Sequence, residues 1–291
     1  MTPEDALARI SRRLPSVRGK SALAQRLRRR AEKRGTLEGA WHVRLRDGTV
    51  LDLPRQSLMS WAVAFQGFYD PAAMSAVGQF GSPDSLVLDV GASLGIWTVP
   101  LGLLAASRNA HVWAFEPNPA NAPWINRNVA LNHLDEAVTL REMGLGDAQE
   151  SVTLVGSEYG VGNGAIALRQ SESTAKHPRV EINIGRLDDL DLPGRVSFIK
   201  IDTEGYEVAF LRGASATIAR DRPVIFGEFA AGWLERRGED LRAALLDLDY
   251  DVAALTTSRS SFWRTADTPH LEPIDLSSST PLPDNLLLRP R

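Results

Sequence analysis

The chain has 291 residues, 43% hydrophobic and 24% charged, with a net charge of −3. That length sustains a sizeable core without staples, and the near balance of charge excludes a protein that binds polyanions over its whole surface. The absence of cysteine excludes disulfides, thiolate metal sites and cysteine nucleophiles, and fits a reducing compartment.

Residues 2–35 read as helical, with Leu7, Ile10, Leu14, Leu23 and Leu27 as sparse apolar anchors interrupted by Pro15 and Gly19. Residues 1–35 hold eleven Lys/Arg against three Asp/Glu, a net +8, so the remainder carries −11. The Arg26–Arg30 run, RLRRR, is either a solvated face or a surface for something acidic: nucleic acid, lipid or a second subunit. No aromatic residue interleaves these charges, so nucleic acid is not the expected partner, while the arm suits a homodimer element. With no signal-like apolar stretch and no run of about 18 apolar residues, a cytoplasmic protein without a membrane span is expected.

Trp41–Arg46 and Thr49–Leu53 alternate around Asp47-Gly48, a hairpin signal, because Asp-Gly readily takes the positive φ of a tight turn. Trp61, Phe65, Phe68 and Tyr69 fall in expected covering helices, as core or as the wall of an acceptor pocket. From residue 86, strands are expected at 86–90, 111–115, 138–142, 196–201, 223–228, 250–255 and 285–289. Helices are expected at 95–106, 119–132, 205–220 and 235–247. Short apolar strands alternating with amphipathic helices predict an α/β fold, a parallel sheet covered on both faces. Residues 151–184 break the pattern and read as a β insertion, in which Tyr159 and Asn163 form a flap or a plain surface hairpin. The expected organisation is residues 1–80 as an N-terminal arm, hairpin and covering helices, then 81–291 as the main domain.

The most informative stretch is Leu86–Thr98, LVLDVGASLGIWT. A buried strand there feeds a glycine loop, Gly91-Ala92-Ser93-Leu94-Gly95, and then a helix N-terminus, a junction suited to a negatively charged ligand group. Glu116 closes the next apolar run, about 20 residues beyond Gly95, where Rossmann-like folds place an acid on ribose hydroxyls. A dinucleotide loop wants G-x-G-x-x-G, and no glycine stands at position 93. S-adenosylmethionine fits better: loop N–H groups and the Ser93 hydroxyl suit its carboxylate, Asp89 its amino group, directly or through water, and Glu116 its ribose diol.

The set DVGASLGIWT, AFEPNPANAPWINRNVALN and IKIDTEGYEVAFLRGA resembles the FkbM-type methyltransferase family over roughly residues 84–230. The resemblance implies a Rossmann-like class I methyltransferase fold, a seven-stranded, mostly parallel sheet with one reversed strand, and S-adenosylmethionine as donor. It also implies cofactor-binding roles for Asp89, Gly91, Gly95, Thr98, Glu116 and Pro117, with Asn118 either helping or forming the turn. Ser93 stands where the family usually has Asn. Gly146-Asp147 falls at the family's Gly-Asp, so Asp147 either reaches the adenine amino group or forms an Asx turn.

An alcohol acceptor must lose a proton, which asks for a base or a metal. The candidates are Asp202 at the end of strand 196–201, also placed towards the cofactor, Glu204 at the next helix start, and Glu228 ending the following strand. Glu204 alternatively caps its helix, and Lys200 and Glu207 look less well placed. His177, in the polar loop of the insertion, is either a competing base or simply solvated. Magnesium on these carboxylates is possible but not favoured, for want of a second ligand set. The expected activity is O-methylation of a hydroxyl on a small metabolite such as a sugar or polyketide. The alternatives are nitrogen or carboxyl transfer, and a non-catalytic scaffold subunit.

Overall fold

Central strands that are buried on both faces need apolar residues throughout, and this chain supplies them in runs of five or six. A computed structural model describes residues 2–14, 19–45, 47–67, 73–74, 81–156, 164–166, 179–258 and 268–291. In it, β3 (Leu86–Val90) and β10 (Val196–Ile201) are buried along their whole length and pair in parallel at the centre of the main sheet. β4 (His111–Phe115) and β5 (Val138–Arg141) extend the parallel sheet on one side. β11 (Val224–Glu228) extends it on the other.

β14 (Asn285–Pro290) inserts antiparallel between β11 and β12 (Tyr250–Ser258). β13 (Thr268–Pro273) pairs antiparallel with β12 at the edge. The order is therefore β13-β12-β14-β11-β10-β3-β4-β5. The seven expected strands form, and the sheet gains an eighth, β13, so two strands run against the rest instead of one. Helices α4 (Thr98–Ala106), α5 (Ala122–Leu131), α6 (Glu207–Gly213), α7 (Ser215–Asp221), α8 (Ala231–Arg237) and α9 (Leu241–Leu246) supply the connections.

The expected β insertion is a four-stranded sheet of order β6-β9-β7-β8, and it begins earlier than residue 151. Its strands are β6 (Gly144–Leu145), β7 (Glu150–Gly156), β8 (Gly164–Ile166) and β9 (Arg179–Gly185). Tyr159, Asn163 and His177 lie outside the described residues. Gly146 packs so closely on α6 that a Cβ at Gly213 would meet the Gly146 carbonyl at 1.8 Å.

The N-terminal part comprises α1 (Pro3–Arg13), α2 (Lys20–Lys33), the hairpin β1 (Ala40–Arg44) and β2 (Val50–Pro54), and α3 (Leu58–Gln66). Trp61 and Phe65 are core residues; both are fully buried, and Trp41 meets Trp61 edge-on at 4.9 Å. Phe68 and Tyr69 lie outside the described residues. Asn128 on α5 ties the hairpin to the sheet. Its Oδ1 accepts from the Asp52 N–H at 2.7 Å, and its Nδ2 donates to the carbonyls of Asp52 and Leu94. One buried apolar cluster runs from Ala8 on α1 to Leu287 on β14, so the arm shares the main core.

Candidate active site

The loop after β3 is held from below and from the side. Gly91 has φ +82°, and a Cβ there would sit 1.8 Å from the Asp202 carbonyl oxygen, so only glycine lets the loops after β3 and β10 touch. The N–H groups of Gly91 and Ala92 both donate to the Phe115 carbonyl at 3.0 Å. Ser93 N–H donates to Glu116 Oε2 at 2.6 Å, and Gly95 N–H to the Ala92 carbonyl. The loop amides expected to cradle a carboxylate are thus taken up by the protein itself. The expected helix start at 95 also moves to Thr98, because turns occupy 93–97. What the loop leaves open is the Ser93 hydroxyl: it is buried without a hydrogen-bond partner, on a residue with φ +50°.

Glu116 follows β4 and is 6% exposed. Its carboxylate accepts from the N–H groups of Ser93 and Asn118 and from Asn121 Nδ2 at 3.2 Å. Burial pushes its pKa up to about 7 despite these donors and the nearby Lys200 ammonium. Asn118 accepts from Ala120 N–H through its own side chain, which shapes the turn that presents Glu116.

Asp89 lies inside β3, opposite Lys200 of β10 in register. It is fully buried, 3.2 Å from the Lys200 ammonium, and accepts from the Thr98 hydroxyl at 2.6 Å. Asp89, expected to serve the donor's amino group directly or through water, lies beneath the loop and is not among the residues that line the cavity. Thr98 is likewise buried and serves Asp89. Lys200 donates to the Gly91 carbonyl at 2.9 Å and lies 3.7 Å from Asp202. Burial alone would lower its pKa, but Asp89 and Asp202 outweigh it and hold the ammonium above the ordinary lysine range. Lys200, set aside from sequence, is the hub of the floor. Its signal was available: a lone cation in an otherwise apolar central strand requires a buried partner.

The loop 202–206 bends through two left-handed residues, Glu204 at φ +51° and Gly205 at φ +110°. Glu207 caps it: its carboxylate accepts from Thr203 N–H, Thr203 Oγ1 and Gly205 N–H, while burial raises its pKa. Asp202 and Glu204 line the cavity.

The cavity holds about 870 Å³ of empty space and opens to solvent. Its lining includes the polar residues Ser93, Glu116, Asn118, Lys200, Asp202 and Glu204. It also includes residues that sequence reasoning did not single out, Leu154, Ile182 and Ile184 of the small sheet among them, with Tyr206 and Met59. Gly91, Ala92, Ser93 and Pro117 line it as expected, whereas Gly95 and Gly146 do not. Asp147 is at the surface, 3.8 Å from Arg212, and is not in the cavity. Glu228 is exposed at the end of β11 beside Asn285 and is also outside it, because β14 rather than the cavity flanks that strand end. Among the described residues no group of three or more His, Asp or Glu is placed to hold a metal ion, and no helix is long and apolar enough to cross a membrane.

Residues 89–252 match the family model of the methyltransferase FkbM domain. Methyltransferase 1 of Beauveria bassiana is 28% identical over 148 residues, 45% of this chain and 58% of that protein, so the chain spans less than two thirds of this relative. The crystal structure of methyltransferase FkbM from Methylobacillus flagellatus KT is similar at 19% identity, covering 84% of this chain and 56% of that one, with a TM-score of 0.47. Precorrin-6y C5,15-methyltransferase from Geobacter metallireducens GS-15 is similar at 17% identity, covering 75% of this chain and 84% of that one, with a TM-score of 0.38.

Proposed function

The chain belongs to the FkbM methyltransferase family, and we propose that it transfers the methyl group of S-adenosylmethionine to a hydroxyl oxygen of a small metabolite. The observation that carries this reading is Glu116, a buried acid at the end of the second parallel strand whose side chain lines the cavity. A carboxylate there accepts two hydrogen bonds from a ribose diol. Ser93 Oγ, buried and unpartnered, fits the donor's amino-acid tail, and Asp202 suits its ammonium. When bound, the donor supplies a methyl carbon on a sulfonium, an electrophile with an excellent leaving group.

The protein's share of the reaction is positioning, charge and one proton. Glu116 and Asp202 make the polar side of the cavity negative, which favours a cationic donor. The apolar wall of Leu154, Ile182 and Ile184 excludes water from the reacting atoms. An acceptor hydroxyl gives up its proton as the new bond forms, and Asp202 or Glu204 takes it. Those two cavity-lining acids favour oxygen over nitrogen as acceptor, since a neutral amine needs no base for the attack.

Calorimetry with S-adenosylhomocysteine tests the cofactor assignment. Glu116→Ala should weaken binding by about 1–3 kcal/mol, and an unchanged affinity refutes the ribose role. Asp202→Asn should retain the fold and slow transfer by about 100-fold or more. Methylated products should resist alkali, as ethers do; release of methanol by base would show a carboxyl ester instead.

A further inference from the structure

The N-terminal helices carry a surface that the proposed reaction does not use. Leu7, Ile10 and Leu14 recur at helical spacing along α1 and its C-cap, and they are 44%, 58% and 50% exposed. Leu23 on α2 is 43% exposed. The buried side of α1, with Ala8 and Ser11, faces α3; Ser11 Oγ donates to the Phe65 carbonyl at 2.8 Å. The apolar stripe lies on an exposed flank of the helix, outside the side that packs on α3. The two helices are joined at their ends, since Lys20 Nζ donates to the carbonyls of Ser11 and Leu14.

The same two helices also carry exposed cations. Arg9, Arg13, Arg26, Arg29, Arg30 and Lys33 are all exposed. None of them has a carboxylate within ion-pair distance among the described residues; the ion pairs of this region are Arg28 with Glu32 and Arg55 with Asp5.

We propose that the exposed face of α1 and α2 docks on an anionic phospholipid surface, with Leu7, Ile10, Leu14 and Leu23 entering the headgroup–acyl boundary and the arginines meeting lipid phosphates. Protruding aliphatic side chains beside unpaired arginines are the two halves of an interfacial helix. The charge distribution selects this occupant over the others. A two-fold dimer through the same patch would set each cluster of cations against its own copy. A nucleic acid would satisfy the arginines but leave four large aliphatic side chains against phosphate, and neither helix carries an aromatic residue for stacking bases.

The full chain should float with vesicles of phosphatidylcholine containing phosphatidylserine, and not with phosphatidylcholine alone. Binding should weaken about fivefold for each arginine removed, as in Arg26→Ala and Arg30→Ala. It should fall about tenfold or more in Ile10→Asp, which loses an inserted side chain, and it should weaken as salt rises. All three positions are exposed, so an unchanged melting temperature confirms that the variants fold. The proposal is overturned if the wild-type chain ignores anionic vesicles, or if Ile10→Asp binds them as well as the wild type. It is equally overturned by a dimer in sedimentation velocity that Ile10→Asp dissolves in the absence of vesicle binding, or by salt-sensitive RNA binding without vesicle binding. None of these outcomes depends on the methyl donor.

Discussion

Lys200→Met should destabilise the protein out of proportion to the small change in side-chain volume. In the folded chain the Lys200 ammonium is 3% exposed, 3.2 Å from Asp89 and 3.7 Å from Asp202, and it donates to the Gly91 carbonyl at 2.9 Å. Asp202 is 26% exposed on its side chain and can turn to water when the ammonium goes. Asp89 is fully buried and retains only the Thr98 hydroxyl. Removing one partner of a buried ion pair leaves an uncompensated charge, which costs about 3–5 kcal/mol. For a chain of this size that is a fall in melting temperature of roughly 5–8 °C. Urea unfolding of the wild type, Lys200→Met, Asp89→Asn and the double variant closes a double-mutant cycle. The double variant should recover most of the loss, because it removes both charges and keeps the Thr98 contact. A Lys200→Met loss below about 1 kcal/mol, or a double variant no better than the sum of the singles, would refute the assignment of Lys200 as the counter-charge of Asp89.

Gly91→Ala should abolish soluble protein or donor binding, because the new Cβ would lie 1.8 Å from the Asp202 carbonyl at a φ of +82°; a normal melt and normal binding would show that the two loops can part. Glu116, whose folded pKa of about 7 lies above the ordinary carboxylate range because the group is buried, binds a proton in the folded chain over a range where the unfolded chain has released it. Its stabilising contribution is therefore complete below about pH 4.5 and lost as pH rises through 7, up to about 3 kcal/mol. Glu116→Gln should flatten that part of the pH–stability curve, and an unaltered slope would contradict the shift. S-adenosylhomocysteine affinity should run the other way and improve as pH rises through 7, since the ionised carboxylate accepts both ribose hydroxyls; the check is calorimetry across that range. Asn128→Ala strips the hairpin of the bonds through Asp52 and should cost about 1–3 kcal/mol, with amide exchange rising first in β1 and β2.

The strands flanking the cavity were legible because parallel strands buried on both faces are written as mainly apolar runs, as in Leu86–Val90 and Val196–Ile201, where Asp89, Ser197 and Lys200 are the exceptions. Glu116 was legible as an acid closing such a run. β13 was not, since Thr268–Pro273 contains two prolines and no alternation; a strand that pairs along one side tolerates proline. The long helix expected at 205–220 is two, α6 and α7, broken where Gly213 presses on the Gly146 carbonyl, a contact between segments far apart in the chain. Register is invisible to a single sequence for the same reason. Asp89 and Lys200 were each visible, but nothing local states that β3 and β10 set them side by side.

That pairing changes what the first motif means. Asp89, read alone, looks like a ligand for the donor; in the fold it is the fully buried anchor of Lys200, which holds the Gly91 carbonyl and stands beside Asp202. An acid in the glycine-loop motif and a lysine in the later motif thus serve one purpose, locking the loop after β3 to the loop after β10. The groups left to meet a ligand are those the lock presents at the cavity: the Ser93 hydroxyl, the Glu116 carboxylate and Asp202. A motif residue can therefore shape a cavity without lining it. Asp89→Asn and Glu116→Gln separate the two roles, because the first should act on stability more than on affinity and the second on affinity more than on the lock.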